Sequence, residues 1–284
     1  MNILVIGSGG QLGKDMVIHL KKNNFNVAEA DFPAIDISNI DSTSNVIRQA
    51  RPDAVINCAA FTAVDDCESK QEAAFAVNAT GPHNIAKCCN DIGAKCIHIS
   101  TDYVFDGQKR FPYIESDMTN PATVYGKSKL EGEKLIAEET DRYQIYRIAW
   151  LYGLYGNNFV RTILKNAPKK VTSKESFRVV NDQIGTPTST VEVCRQIIAM
   201  LNKDESGIFH CTCEGICSWY DFTCEIVKAY KLGVPVLPCS TDEYPRPAPR
   251  PAYSVLENQH LKALNLNIMK DWKTAFYDFY ATDK

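Results

Sequence analysis

Tyr125 and Lys129, in the run VYGKSK, stand four residues apart, and Thr101 lies upstream in STDYVFDG. On a helix that spacing puts phenol and ammonium on one face. A phenol with an ordinary pKa of about 10 carries protons poorly at neutral pH, but an adjacent ammonium and a cationic oxidised nicotinamide would lower it toward the working range. The pair therefore suits hydride transfer, in which a proton must follow the hydride to a carbonyl oxygen. Thr101 comes directly after a strand expected over 95–100, at the sheet end where open α/β folds bind ligands. Its hydroxyl can donate to an oxygen that gains charge as hydride arrives. Asn78, in VNAT, is either a supporting amide for this site or a structural asparagine within a helix.

A second feature is the loop GSGGQLG. The spacing GxGxxG fails at Leu12, whereas GxxGxxG fits at Gly7, Gly10 and Gly13. Such glycines allow a tight turn, close approach of the backbone to a pyrophosphate, and close packing of helix on strand. The helix N-terminus that follows offers free N–H groups to the diphosphate. Asp31 closes the next expected strand, where a carboxylate accepts hydrogen bonds from an adenine ribose, or else simply ends a turn. A carboxylate there favours NADH over NADPH, and the cofactor expected is one of the two.

The elements that would position these groups alternate as βαβ units. Strands are expected at 2–6, 26–30, 54–57, 95–100 and 144–148, with helices at 11–22, 41–50, 72–91 (broken at Gly81-Pro82) and 125–139. This is the pattern of a Rossmann-type, doubly wound parallel sheet in the α/β class. Beyond Trp150 the pattern loosens into a loop, LYGLYGNN, and a short helix at 159–166. A strand at 177–181 and a helix at 191–202 are expected to return to the sheet, followed by a strand at 207–213 and a helix at 219–230. YPRPAPRPAYS, at 244–254, is a loop, because its prolines remove donors and hold their predecessors extended. The expected division is a cofactor domain over 1–150, continued by 177–202, and a smaller α/β substrate domain from 151–176 and 203–284.

The chain has 284 residues, 45% of them hydrophobic, enough for one large α/β unit or two modest domains around a cleft. Its 31 Lys+Arg against 34 Asp+Glu leave no basic surplus for a nucleic-acid partner. Apolar runs are strand-sized, too short to span a bilayer, and the N-terminus lacks the basic region of a secretion signal, so a cytoplasmic protein is expected. Eleven cysteines, an odd count scattered along the chain, argue against a disulfide framework. In HCTCEGIC, Cys211 and Cys213 would alternate across a strand rather than converge with His210, Cys217 and Cys224 on a metal, so reduced, packed thiols are expected and no metal site is assigned.

These motifs, with RPDAVINCAAFTAVD (51–65), STDYVF, VYGKSKLEGE (124–133), GNNF (156–159), VVNDQIGTPT (179–188), WYDF (219–222) and RPAYSVL (250–256), make the chain resemble the dTDP-4-dehydrorhamnose reductase family of extended short-chain dehydrogenases. The resemblance covers nearly the whole chain and implies reduction of a dTDP-4-keto-6-deoxy sugar by NADH or NADPH in dTDP-rhamnose biosynthesis. It implies Thr101, Tyr125 and Lys129 as the catalytic set, and Thr101, Asp102, Tyr103, Tyr125, Trp150, Asn158 and Arg250 as substrate contacts. On the cofactor side it implies Gly7, Gly10, Gln11, Leu12, Gly13, Asp31, Asp36, Ile37, Ala59, Ala60, Tyr125 and Lys129. Trp150 could pack on a sugar face or in a core, and Arg246 and Arg250 could grip a diphosphate or lie on the surface. The chain departs from the pattern at Tyr253, where similar proteins often carry asparagine. A monomer or homodimer is implied; some similar reductases hold Mg2+ at a dimer contact, for which this sequence shows no ligand pattern. The alternatives are a nucleotide-sugar epimerase or dehydratase, which uses the same Tyr/Lys pair, and a non-catalytic subunit resembling the regulatory β subunit of methionine adenosyltransferase.

Overall fold

A computed structural model describes residues 1–283. Five strands, β1 (Asn2–Ile6), β2 (Asn26–Ala30), β3 (Ala54–Asn57), β4 (Lys95–Thr101) and β5 (Tyr143–Ile148), alternate with α1 (Gln11–Lys22), α2 (Ile40–Ala50), α3 (Gly81–Ile92) and α4 (Val124–Glu139). Further on come α5 (Phe159–Ser173), β6 (Phe177–Val180), α6 (Thr190–Met200), β7 (Gly207–His210), α7 (Trp219–Ala229), β8 (Val236–Cys239) and α8 (Trp272–Asp283). The main sheet runs β7-β5-β4-β3-β1-β2 with every pair parallel. Chain order reverses between β1 and β3, the place where such sheets bind ligands at their carboxyl ends.

Near-continuous burial of β1, β3 and β4 follows from helices on both faces. Along β1, Leu4 and Ile6 face one core with Ile47 of α2 and Ile85 of α3, while Ile3 and Val5 face the other with Met16 and Leu20 of α1. The second core runs on without interruption to Phe222 and Ile226 of α7 and Trp272 and Phe276 of α8. The C-terminal helices are thus welded to the sheet rather than tethered to it.

Three sequence expectations are corrected. β6 does not return to the sheet; it pairs in parallel with β8, away from the main ladder, while β7 takes the sixth place beside β5. Both strands are four residues long and bury two residues each, so local pattern does not say which one extends the sheet. α6 does return, packing against α1. The helix preceding β4 is not broken at Gly81-Pro82: Gln71–Phe75 leads through a π-helical segment, Ala76–Thr80, straight into α3. The wider turns fall just ahead of Pro82, whose ring would collide with the carbonyl four residues back in regular α geometry. Finally, α5 continues past Asn166 to Ser173 with Pro168 inside it on the exposed side.

Candidate active site

Where β1 meets α1 the backbone turns at Gly7 with φ +76°, and a Cβ there would lie 2.6 Å from the Ala59 nitrogen. A Cβ on Gly13 would lie 2.0 Å from the Gly7 carbonyl oxygen. Turn and helix are therefore packed backbone on backbone, as close approach to a pyrophosphate demands. No side chain caps α1, whose first residues line a cleft, so its leading N–H groups are available to an anion. An adjoining cleft is lined by Gly7, Gly10, Asp31, Asp36, Ile37, Ala59 and Ala60. Asp31 Oδ2 accepts the Gly9 N–H at 2.8 Å and its Oδ1 accepts that of Phe32 at 2.9 Å, which holds the carboxylate at the cleft edge. None of the described residues lining it is lysine or arginine. Glycine contacts, uncapped helix and strand-end carboxylate together fit a nicotinamide dinucleotide. Gly13 serves by packing and does not itself line either cleft.

The first cleft, beside Gly10, Gln11 and Leu12, is also walled by Thr101, Asp102, Tyr103, Tyr125, Lys129 and Trp150. β4 ends on Thr101, and α4 starts under the cap of Thr123, whose Oγ1 accepts the Gly126 N–H at 3.0 Å, so Tyr125 and Lys129 fall one turn apart on the cleft side. The Tyr125 ring meets that of Tyr103 edge-on, centroids 5.5 Å apart. Asn78 lines neither cleft. Its amide braces the site from behind: Oδ1 accepts the Phe61 N–H at 2.8 Å, and Nδ2 donates to Phe61 O and to Ser128 Oγ of α4, both at 3.1 Å.

The electrostatics differ from the sequence expectation. Burial pushes the Tyr125 phenol up, with the Thr101 hydroxyl acting the other way, so the phenol is not lowered by its neighbouring lysine. The reason is geometric: Lys129 Nζ donates to Ile99 O at 2.6 Å and lies 2.9 Å from His98 Nε2. Burial pushes Lys129 down to about 8. Thr101 Oγ1 donates to Asp102 Oδ1 at 2.9 Å, so an incoming carbonyl oxygen competes with Asp102 for that proton. Burial pushes the Asp102 carboxyl up to about 7, and its Oδ2 has no hydrogen-bond partner.

Asp102, Tyr103 and Trp150 also line a third, larger cleft of about 700 Å³, so the two spaces share a wall. Phe159, Phe177, Val179 and Trp219 supply apolar surface to it, and Lys170, Arg178, Arg246 and Arg250 supply cations. Such a mixture suits a nucleotide carrying a diphosphate. Trp150 has the left-handed φ of +48°, stacks face to face on Trp219 with centroids 3.5 Å apart, and donates from Nε1 to Ser254 Oγ at 3.1 Å. It is both packed and cleft-lining. Arg250 Nη2 donates to Asp65 Oδ2 at 2.8 Å, and the Ala248 N–H donates to Asp65 Oδ1, clasping the proline loop to the segment after β3.

Gly185 backs the Trp150 indole, and a Cβ there would stand 2.3 Å from Trp150 Cε2. Gly185→Ala is therefore expected to displace the indole, costing about 1–3 kcal/mol of stability. Thermal unfolding and paired titrations with dTDP and NADH check this: Tm and dTDP affinity fall, NADH affinity holds. Unchanged dTDP binding would show that Trp150 does not shape the cleft.

Asn158 is placed differently from the substrate role expected of it. Its Oδ1 caps α5 by accepting the Arg161 N–H, and its Nδ2 donates to Gln11 Oε1 and Gly153 O, at 2.8 and 2.9 Å, so its polar atoms are already engaged. Asparagine before an amphipathic run is a helix-cap signal, and it prevails here. Tyr253 points into a small cluster with Phe105, Tyr113 and Leu256, away from the large cleft, so the departure at this position does not reach the lining. Sequence reasoning missed His98, Asn57, Asp65 and Ser254. Asn57, Asp65 and Ser254 sit inside motif runs and His98 just ahead of one, but each bonds a partner remote along the chain. All eleven cysteines are free; Cys211 and Cys213 are buried, their thiols pushed up by burial.

A sequence model of the family described as RmlD substrate binding domain matches residues 1–284. A dTDP-4-dehydrorhamnose reductase from Escherichia coli is 37% identical, over 96% of this chain and 95% of its own. A crystal structure of a dTDP-4-dehydrorhamnose reductase from Clostridium acetobutylicum superposes with a TM-score of 0.96 at 44% identity, covering 99% of each chain. Another, from Bacillus anthracis and in complex with NADP, gives 0.95 at 35% identity, again over 99% of each.

Proposed function

The chain belongs to the RmlD substrate-binding-domain family, and from that premise we propose that it reduces the C4 ketone of dTDP-4-dehydro-L-rhamnose to dTDP-L-rhamnose, using NADH or NADPH. The observation that carries this reading is that the glycine-loop cleft, which holds Thr101, Tyr125 and Lys129, shares the wall of Asp102, Tyr103 and Trp150 with the arginine-bearing one. The dinucleotide, held by the glycine turn, the α1 N-terminus and Asp31, supplies the hydride when bound. Thr101 then donates to the ketone oxygen as charge builds on it, and Tyr125 passes its proton to that oxygen. A phenol raised by burial is fully protonated at neutral pH, which suits a donor. Lys129 holds the nicotinamide ribose and, as an ammonium, returns a proton to Tyr125. Trp150 and Arg250 contact the dTDP-sugar.

The sheet with its flanking helices, including α6 and β7, forms the cofactor unit, and the segments around α5, β6, α7, β8 and the proline loop form the sugar unit. Among the described residues no helix is long and apolar enough to cross a membrane. We assign the protein to the cytoplasm, as a monomer or homodimer.

Following cofactor absorbance with dTDP-4-dehydro-L-rhamnose as substrate is the test, with the product's C4 configuration read by NMR. Ketone-dependent oxidation is expected, faster with NADH than with NADPH because Asp31 crowds a 2′-phosphate. Absence of oxidation with either cofactor overturns the reading. NAD that stays bound and is regenerated each cycle points instead to an epimerase or dehydratase.

A further inference from the structure

Behind the active-site wall runs a line of hydrogen bonds that all point one way. The Ala59 N–H donates to Asn57 Oδ1 at 3.0 Å, which turns Asn57 Nδ2 toward His98 Nδ1, 3.1 Å away. An amide nitrogen can only donate, so His98 Nδ1 accepts. His98 is wholly buried in β4 and is neutral, because burial holds its pKa well below the usual histidine range. A neutral imidazole carries one proton, here left to Nε2, which faces Lys129 Nζ at 2.9 Å. Lys129 Nζ in turn donates to Ile99 O. The line closes only if Nζ offers a lone pair to the Nε2 proton, and an ammonium has none.

We propose that His98 is a positioning residue for Lys129: with its proton held on Nε2 by Asn57, it docks the lysine as a neutral amine and releases it toward the cleft as an ammonium. The release step forms one N–H bond, from the Nζ lone pair to a proton taken from solvent, and breaks the Nε2–H···Nζ contact. Its catalytic consequence rests on the reductase reading, in which the ammonium is the form that recharges Tyr125. Other groups facing Lys129 are Tyr125 and Glu133 on its own helix and Cys58 from the loop after β3. Glu133 and Cys58 favour the charged lysine, so they cannot be what holds the amine neutral.

Nitrogen-15 NMR of the histidine-labelled full chain, without substrate, reads the tautomer directly. The wild-type protein is expected to show a protonated Nε2 and a bare Nδ1 on His98. Asn57→Asp places a carboxylate against Nδ1, draws the proton there, and converts Nε2 into an acceptor that welcomes the ammonium. The Lys129 titration, followed by carbon-13 shift and assigned by its loss in Lys129→Met, then rises by roughly one pH unit or more. The alkaline limb of the kcat profile moves with it. A wild-type Nδ1–H tautomer, an imidazolium, or an Asn57→Asp chain whose lysine titration stays put or falls overturns the proposal. Because the tautomer is read without ketone or dinucleotide, that failure is distinct from failure of the reductase reading, which the ketone assay decides.

Discussion

Replacing Tyr125 by phenylalanine lowers turnover by roughly a hundredfold or more while NADH affinity stays within about twofold. Phenylalanine keeps the ring and therefore the edge-on contact with Tyr103 and the packing against Cys67 and Ala74. Only the hydroxyl is lost. Neither Thr101 nor Lys129 can replace it without rearrangement, since the Thr101 proton is given to Asp102 and Lys129 is turned toward Ile99 and His98. The missing group acts on the oxygen that gains charge, so the loss appears in kcat rather than in binding. Single-turnover absorbance and NADH fluorescence titration separate the two. Turnover at the wild-type level in Tyr125→Phe would remove the proton donor from the mechanism.

The second large effect is on stability. Arg147 of β5 and Glu133 of α4 form a buried ion pair, with Nη2 2.6 Å from Oε2 and Nε 3.0 Å from Oε1, and Ser100 Oγ donates to the same carboxylate. The guanidinium also lies over the Phe105 ring, 5.1 Å from its centroid. Truncating one partner strands the other charge away from water, so Arg147→Met is expected to cost about 3–5 kcal/mol. Replacing both, as Glu133→Leu with Arg147→Met, recovers most of that loss, because no charge is then left buried. Urea unfolding of the two variants against wild type gives the comparison. A single variant within about 1 kcal/mol of wild type would mean that water reaches the pair. The pair also bears on catalysis: Ser100 precedes Thr101, and Glu133 lies one turn beyond Lys129, so the single variant loosens both groups that flank Tyr125.

The cofactor half was legible because its signals are local. Strand β1, the glycine turn and α1 follow one another within 22 residues, and each announces itself through apolar run, glycine spacing or helical period. Tyr125 and Lys129 share a face through helix geometry alone. Thr101 needed only the knowledge that it ends a strand. Where a side chain had two local uses, the choice was harder: Asn158 could serve a ligand or a helix, and the cap took it.

By itself the sequence determined the parallel α/β architecture, the glycine turn and the grouping of Thr101, Tyr125 and Lys129, because periodicity, glycine geometry and one-turn spacing act over a few residues. Tertiary structure alone decided which of two short strands completes the sheet, that Arg250 is clasped by Asp65 across 185 positions, and that the Lys129 nitrogen reaches His98 and Ile99 O. Those outcomes depend on which surfaces are brought together and on burial, which raises the phenol and lowers the lysine. Neither the juxtaposition nor the desolvation is encoded in any local window of residues.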